Sequence, residues 1–346
     1  MRTKAAVLVE TGRPLEIWDL GVPRLAAGQV LVELAYSGVC HTQLLEWQGL
    51  RGEDRFLPHC LGHEGSGTVV EVGSAVTKVA AGDDVVLSWM KGRGGDARGT
   101  VYDSASGPVN AGGVTTFQHH AVVSENRLTP LPDGCSLRQA ALLGCAIPTG
   151  FGSLLNTAGA RQGESVAVFG CGGIGASAVL AAAVLGCTPI VAVDVAANKL
   201  EFAATLGSTH TVMGGDDAVA AVHEITSGGV DVAIEASGRP SVMAQALASV
   251  RARGGRAVVV GNAPHGEQVP VDPRELNQGK QLLGTWGGDC DPDADFARFA
   301  AQVVGHADQL CALAPTLTPL EDINCALEAL GSGSVVRPML SLQGSE

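Results

Sequence analysis

The stretch from Ser165 to Gly175 reads SVAVFGCGGIG. An apolar run of strand type passes directly into Gly170, Cys171, Gly172, Gly173, Ile174 and Gly175, and then into the helix-forming IGASAVLAAAVLG. This is the G-x-G-x-x-G turn between a strand and a helix. Its glycines allow a tight turn, close approach of backbone to a pyrophosphate and close packing of the helix, whose amino end meets the ligand's charge. The next strand, PIVAVD, ends at Asp194, nineteen residues beyond Gly175. A carboxylate there accepts hydrogen bonds from an adenosine ribose and repels a 2′-phosphate, so the spacing points to NAD over NADP. In a chain with 47 glycines the hexapeptide alone is weak, and a nucleotide-free α/β turn is the plainer reading. The strand, the helix and the acid together favour the nucleotide.

Working outward, NKLEFAATLG, VDVAIEAS, VMAQALASV and GRAVVVG continue the alternation of strand and helix, which predicts a doubly wound parallel sheet from about Ile147. Upstream the texture differs. KAAVLVE, QVLVELAYSG, GTVVEVG, DDVVLSW and HHAVVS are short strands set off by Gly and Pro, which predicts an antiparallel β domain. After about Trp286 come two amphipathic stretches, DADFARFAAQVVGHA and LEDINCALEALGSG, and a last strand, VVRPMLSL.

The 346 residues suit two domains, each able to bury a core. With 46% hydrophobic and 16% charged residues the chain is globular, not disordered, and with 4% aromatics its core is mostly Ala, Val and Leu. A formal charge of -13 with no Lys/Arg run disfavours nucleic acid and anionic membrane surfaces. No apolar run reaches membrane length, and a cytoplasmic protein is expected. The nine cysteines are odd in number and dispersed, which favours free thiols and metal ligands over disulfides.

Cys40 in GVCHT, His63 in GHEGSG and Cys145 in LLGCAIPTG are candidate ligands. Two thiolates and an imidazole suit Zn²⁺ and leave its fourth position open, the pattern of a catalytic site. Read from composition alone, the cysteines are equally well small core residues and the histidine a satisfied interior one.

GVCHT, GHEGSGTVVEVGSAV, GGVTTFQHHAVV, LLGCAIPTGFGSLLNTA, VAVFGCGGIG and IVAVDVAANKLEFA, in this order, resemble the motif series of the zinc-containing medium-chain alcohol dehydrogenases, above all the liver-type and glutathione-dependent formaldehyde dehydrogenase branch. The resemblance runs over nearly the whole chain, down to SGSVVRPMLSL. It implies an α/β fold with a GroES-like β catalytic domain, residues 1–146 plus 288–346, and an inserted Rossmann NAD-binding domain, 147–287. It implies a catalytic zinc on Cys40, His63 and Cys145, Thr42 as the hydroxyl beside the alcohol, and Glu64 as a carboxylate near the metal. His41 and Arg337 would approach the cofactor pyrophosphate, Thr149 the nicotinamide, and Lys199 the ribose beside Asp194. Trp89 falls where the family lines its substrate pocket, with a core aromatic as the equal alternative. A homodimer or homotetramer is implied as well.

Three departures stand out. No cysteine lies between Cys60 and Cys135, where relatives carry four ligands of a structural zinc, so one zinc per subunit is expected and Lys91 to Gly113 becomes a shortened, differently built loop ordered by turns and packing or left mobile. Gln43 replaces the aspartate that follows the Cys-x-Thr/Ser pattern and orients a ligand histidine. Leu45 replaces a histidine that ends the proton relay. His59, Cys60, His119 and His120 are read as structural.

The activity expected is hydride transfer from an alcohol to NAD, with the substrate hydroxyl acidified by the metal's charge and its proton passed through Thr42. A zinc-free NADPH-dependent double-bond reductase of the same superfamily, a thiol-hemiacetal dehydrogenase and a non-catalytic nucleotide-binding protein are the alternatives. Asp194 counts against the first, and the intact ligand set against the last.

Overall fold

The computed structural model of the chain describes residues 1–343. The chain divides into two compact units. One comprises Met1–Cys145 together with the segment from Asp291 onward, and the other is Ala146–Cys290.

In the first unit, strands Arg2–Leu8, Glu16–Gly21, Thr100–Ser104, Gly107–Gly112 and His59–Cys60 close into a barrel. A second sheet runs in the order Leu128–Pro130, Asp84–Ser88, Glu64–Val72, Gln29–Gly38, Met339–Ser341, Leu317–Pro319, and His120–Ser124 also pairs with Gln29–Gly38. That long strand is apolar on both faces. Val30, Val32 and Leu34 enter a core with Ala6, Leu8, Phe117 and Leu340. Leu31 faces the other way, into a cluster with Ala5, Val7, Tyr102 and Val109. A strand buried on both sides reads as a near-continuous apolar run, and within Gln29–Gly38 only Glu33 is exposed. The two amphipathic stretches near the end form helices Pro292–Val303 and Ile323–Ser332, which bury Phe296, Phe299 and Val303, and Ile323, Ala326 and Leu327.

The loop expected from Lys91 to Gly113 takes a different form. Its second half is the hairpin Thr100–Ser104 and Gly107–Gly112, two staves of the barrel. Its first half is held by carboxylates and not by turns alone. Glu125, 2% exposed, accepts from the amides of Gly95 (2.6 Å), Thr77 (2.6 Å) and Lys78 (2.8 Å). Asp293 accepts from the amide of Arg93 at 2.5 Å and pairs with Lys78. Ionised carboxylates collecting backbone donors are among the stronger hydrogen-bond arrangements.

The second unit is a six-stranded parallel sheet in the order His210–Met213, Ile190–Asp194, Val166–Phe169, Val232–Glu235, Arg256–Val259, Gln281–Gly284. The order reverses between Ile190–Asp194 and Val232–Glu235, on either side of Val166–Phe169, which is where open α/β sheets bind ligands. The flanking strand His210–Met213 escapes sequence reading because only Val212 of its four residues is buried.

Gly170 has φ +89°, open to glycine at little cost. A side chain at Gly175 would run into the Gly170 carbonyl. At Gly172, the cap of helix Gly173–Leu185, the space is open. No single helix among the described residues is long and apolar enough to cross a membrane.

Candidate metal and cofactor sites

The metal-ligand candidates arrive from three separate pieces of the first unit. Cys40 caps helix His41–Trp47 just after strand Gln29–Gly38. His63 precedes strand Glu64–Val72 and follows Gly62, whose φ of +89° and whose closeness to Phe117 leave no room for a side chain. Cys145 follows the short turn Leu142–Gly144. Ser37 and Ser88 fasten these pieces by donating to the carbonyls of Glu64 (3.0 Å) and Gly144 (2.7 Å).

The two sulfurs and an imidazole nitrogen lie within 4.8 Å of one another, and this is the one such ligand group among the described residues. His63 Nε2 is 3.3 Å from Cys145 Sγ. Both cysteines are buried. A hydrogen bond from Cys145 holds the Cys40 thiol well below its ordinary range, against the opposing effect of burial, and Arg337 and His63 act in the same direction. Cys145 is pushed up by that shared bond first and by burial second. The pair thus holds one thiolate readily, and a cation between the sulfurs would displace the remaining proton. Burial alone would strip His63 of its proton, but the neighbouring Cys40 sulfur and Glu64 outweigh it, and the imidazole binds its proton more firmly than usual. A soft, closely spaced Cys₂His donor set fits Zn²⁺.

Around these atoms, Thr42 Oγ1 is 3.8 Å from Cys40 Sγ. Trp89 meets His63 edge to face, with ring centroids 6.4 Å apart and planes inclined by 68°. Gln43, 1% exposed, accepts from Cys40 N–H at 3.0 Å and lies 2.5 Å from His63 Nδ1. Arg337, 3% exposed, gives its guanidinium to Glu64, which is fully buried. Sequence reading treats Glu64 and Arg337 separately, one near the metal and one at a pyrophosphate, and misses their union. No local signal links them, since they are 273 positions apart. Leu45 is buried, and His41 is exposed at the start of its helix. Away from this group, His59 joins Asp54 at 2.7 Å and His119 meets the Leu342 carbonyl at 2.6 Å.

In the second unit Asp194 is turned back toward the glycine turn. Its two oxygens accept from Cys171 N–H at 2.7 Å and Ala196 N–H at 2.9 Å, which fixes the carboxylate at the strand end. Lys199 stands one turn into the next helix, Ala197–Thr205, half-buried. The buried hydroxyl of Thr149 has no hydrogen-bond partner among the described residues. An orphaned buried hydroxyl, an open cradle at Gly172 and a fixed acid fit a dinucleotide.

The chain belongs to the zinc-binding alcohol dehydrogenase family. Residues 26–133 match the family described as alcohol dehydrogenase GroES-like domain, and residues 173–304 match zinc-binding dehydrogenase. The S-(hydroxymethyl)glutathione dehydrogenase of Synechocystis sp. is 32% identical over 98% of this chain and 100% of its own length. Among solved structures, an alcohol dehydrogenase zinc-binding domain protein from Burkholderia ambifaria is 32% identical with a TM-score of 0.90, over 99% of this chain and 100% of that one. The benzyl alcohol dehydrogenase of Acinetobacter calcoaceticus is 28% identical with a TM-score of 0.88 at the same coverage. The expected family and the expected fold, a GroES-like domain with a zinc-binding dehydrogenase domain, are those found.

Proposed function

We propose that this dehydrogenase oxidises a small alcohol with NAD, or reduces the matching carbonyl with NADH, using one zinc per chain held by Cys40, His63 and Cys145. The observation that carries the reading is the convergence of those three ligand atoms, from distant parts of the sequence, within 4.8 Å. When bound, the metal supplies the positive charge that acidifies a substrate hydroxyl, and the dinucleotide supplies the hydride acceptor. The remaining work belongs to the chain. Thr42, beside Cys40, would take the substrate proton at its hydroxyl, and Leu45 puts no basic side chain behind it to carry the proton further. Trp89, against His63, forms an apolar wall of the substrate pocket. Glu64 and Arg337 set the electrostatic balance beneath the ligands. Asp194 and Lys199 hold the adenosine ribose, Gly170 to Gly175 and His41 receive the pyrophosphate, and Thr149 offers its hydroxyl to the nicotinamide. Arg337 reaches a pyrophosphate only with its guanidinium already engaged by Glu64. An oligomer of two or four chains, at work in the cytoplasm, completes the proposal.

NADH formation across primary, secondary, polyol and aromatic alcohols, with metal analysis of the same sample, tests it. Zinc-bearing protein that oxidises none of them would sink the reading. The relatives named S-(hydroxymethyl)glutathione dehydrogenase favour a thiol hemiacetal as the second reading, and turnover of formaldehyde only when glutathione is present would decide for it.

A further inference from the structure

Strand Leu128–Pro130 runs antiparallel to Asp84–Ser88, with Leu128 opposite Leu87. The pairing stops there, and one residue before Leu128 a side chain takes it over: the Arg127 guanidinium donates to the Trp89 carbonyl. Ser88 holds the same segment from its other end. Its hydroxyl accepts from Met90 N–H at 3.0 Å while it donates to the carbonyl of Gly144, the residue before Cys145. Gly92 N–H then donates to the Asn126 carbonyl at 2.8 Å. The backbone is thus gripped before, at and after Trp89, whose ring meets His63 edge to face with centroids 6.4 Å apart. Arg127 is ill suited to a packing role alone. It is half-buried, its Nε is enclosed with no hydrogen-bond partner among the described residues, and burial works against its charge more than Asp96 supports it. An apolar side chain of the same length would fill the space without that desolvation cost. What it could not supply is the charge-assisted hydrogen bond to the Trp89 carbonyl.

We infer that Arg127 is a specificity-determining positioning residue: through the Trp89 carbonyl it fixes the Trp89 ring beside His63, and the fixed ring limits the bulk of the alcohol admitted there. A wall held by its own backbone cannot recede from a larger substrate, whereas a loosely held ring gives way. Arg127 touches no substrate and acts only through Trp89. The inference rests on the reading of Trp89 as a wall of the substrate pocket proposed above.

Arg127→Met keeps the length and removes the donors, and Arg127→Lys keeps one donor for the carbonyl. The quantity to read in the full-length enzyme is the ratio of kcat/KM for benzyl alcohol to that for ethanol. Trp89→Ala is expected to raise this ratio about tenfold or more, and Arg127→Met to raise it about three- to tenfold. Arg127→Lys should return it to near the wild-type value, and Arg127→Met should add nothing in the Trp89→Ala background, because both act on one wall. A residue with a merely structural role would lower both kcat/KM values together and leave the ratio where it was. Fluorine spectra of protein carrying 5-fluorotryptophan at its four tryptophans give a check that needs no turnover. The Trp89 resonance, assigned by its loss in Trp89→Ala, should move in Arg127→Met and return in Arg127→Lys. Should Arg127→Met fail to accumulate, Arg127→Gln serves in its place with the same outcomes. If Trp89→Ala leaves the ratio unchanged, the wall and the inference fall together. If Trp89→Ala raises it while Arg127→Met moves neither the ratio nor the Trp89 resonance, or if the two substitutions act additively, the inference about Arg127 alone falls.

Discussion

Arg337 Nε donates to Glu64 Oε1 at 2.7 Å across 273 positions of sequence, and both side chains are closed off from solvent. Burial lifts the Glu64 carboxyl above the ordinary carboxylate range and the Arg337 charge pulls it back. The pair joins the strand that begins one residue after His63 to the segment that leads into strand Met339–Ser341. Removing one partner of a buried pair costs about 3–5 kcal/mol, because the other charge loses its main compensation. Arg337→Leu is therefore expected to lower the unfolding free energy by about that amount, read from urea titration. A loss below about 1 kcal/mol, typical of surface pairs, would show that the two are not coupled.

Cofactor choice is predicted from Asp194. The native protein should use NAD in clear preference to NADP, and Asp194→Ser should narrow the gap by removing both the ribose acceptor and the repulsion of a 2′-phosphate. Since Asp194 also accepts from Cys171 N–H and Ala196 N–H, the variant should bind both cofactors less tightly than the wild type binds NAD. Dissociation constants by fluorescence titration check both points. A native enzyme that preferred NADP would refute the assignment.

Cys145→Ala removes a charged ligand and is expected to abolish turnover and bound zinc, while the unit Ala146–Cys290 continues to bind NAD. Thr42→Val keeps both and loses only a hydroxyl 3.8 Å from Cys40 Sγ. Its kcat should fall by about 10²–10⁴-fold, the usual range for a lost proton-transfer group, with zinc content unchanged. Ordinary activity in Cys145→Ala would end the zinc mechanism.

The Gly92–Ala97 loop provides a prediction with a pH signature. Burial would raise the Glu125 carboxyl, but the amides of Gly95, Thr77 and Lys78 outweigh it and hold the group below the usual glutamate range. A depressed carboxylate contributes stability that is fully present above its unfolded value, about pH 4.3, and is lost as pH falls through the lower folded value. Glu125→Ala should cost about 1–3 kcal/mol for each amide left unpaired at pH 7, and the difference from wild type should shrink as acid protonates Glu125. Elemental analysis of dialysed protein expressed with ample zinc should find one ion per chain. A reproducible second ion located at this loop would contradict the account.

The glycine turn, the acid nineteen residues beyond it and the alternation of strand and helix were legible in the sequence because they are local. Strand period, turn chemistry and helix start all act over fewer residues than a single βαβ unit. Family motifs carried the identity of Cys40, His63 and Cys145, although residue type and spacing alone left them ambiguous with core residues. Their union is a tertiary fact, made by strands Gln29–Gly38 and Glu64–Val72 in antiparallel register and by the Ser88 bond to Gly144. The pairing of Glu64 with Arg337, the edge of Trp89 against His63, and the carboxylates that hold the Gly92–Ala97 loop had no sequence signature. Side chains brought together from positions tens to hundreds of residues apart leave no periodicity behind. Gln43 stands between Cys40 N–H and His63 Nδ1 only because the fold brings positions 40 and 63 to either side of one amide, which the residue types alone do not show.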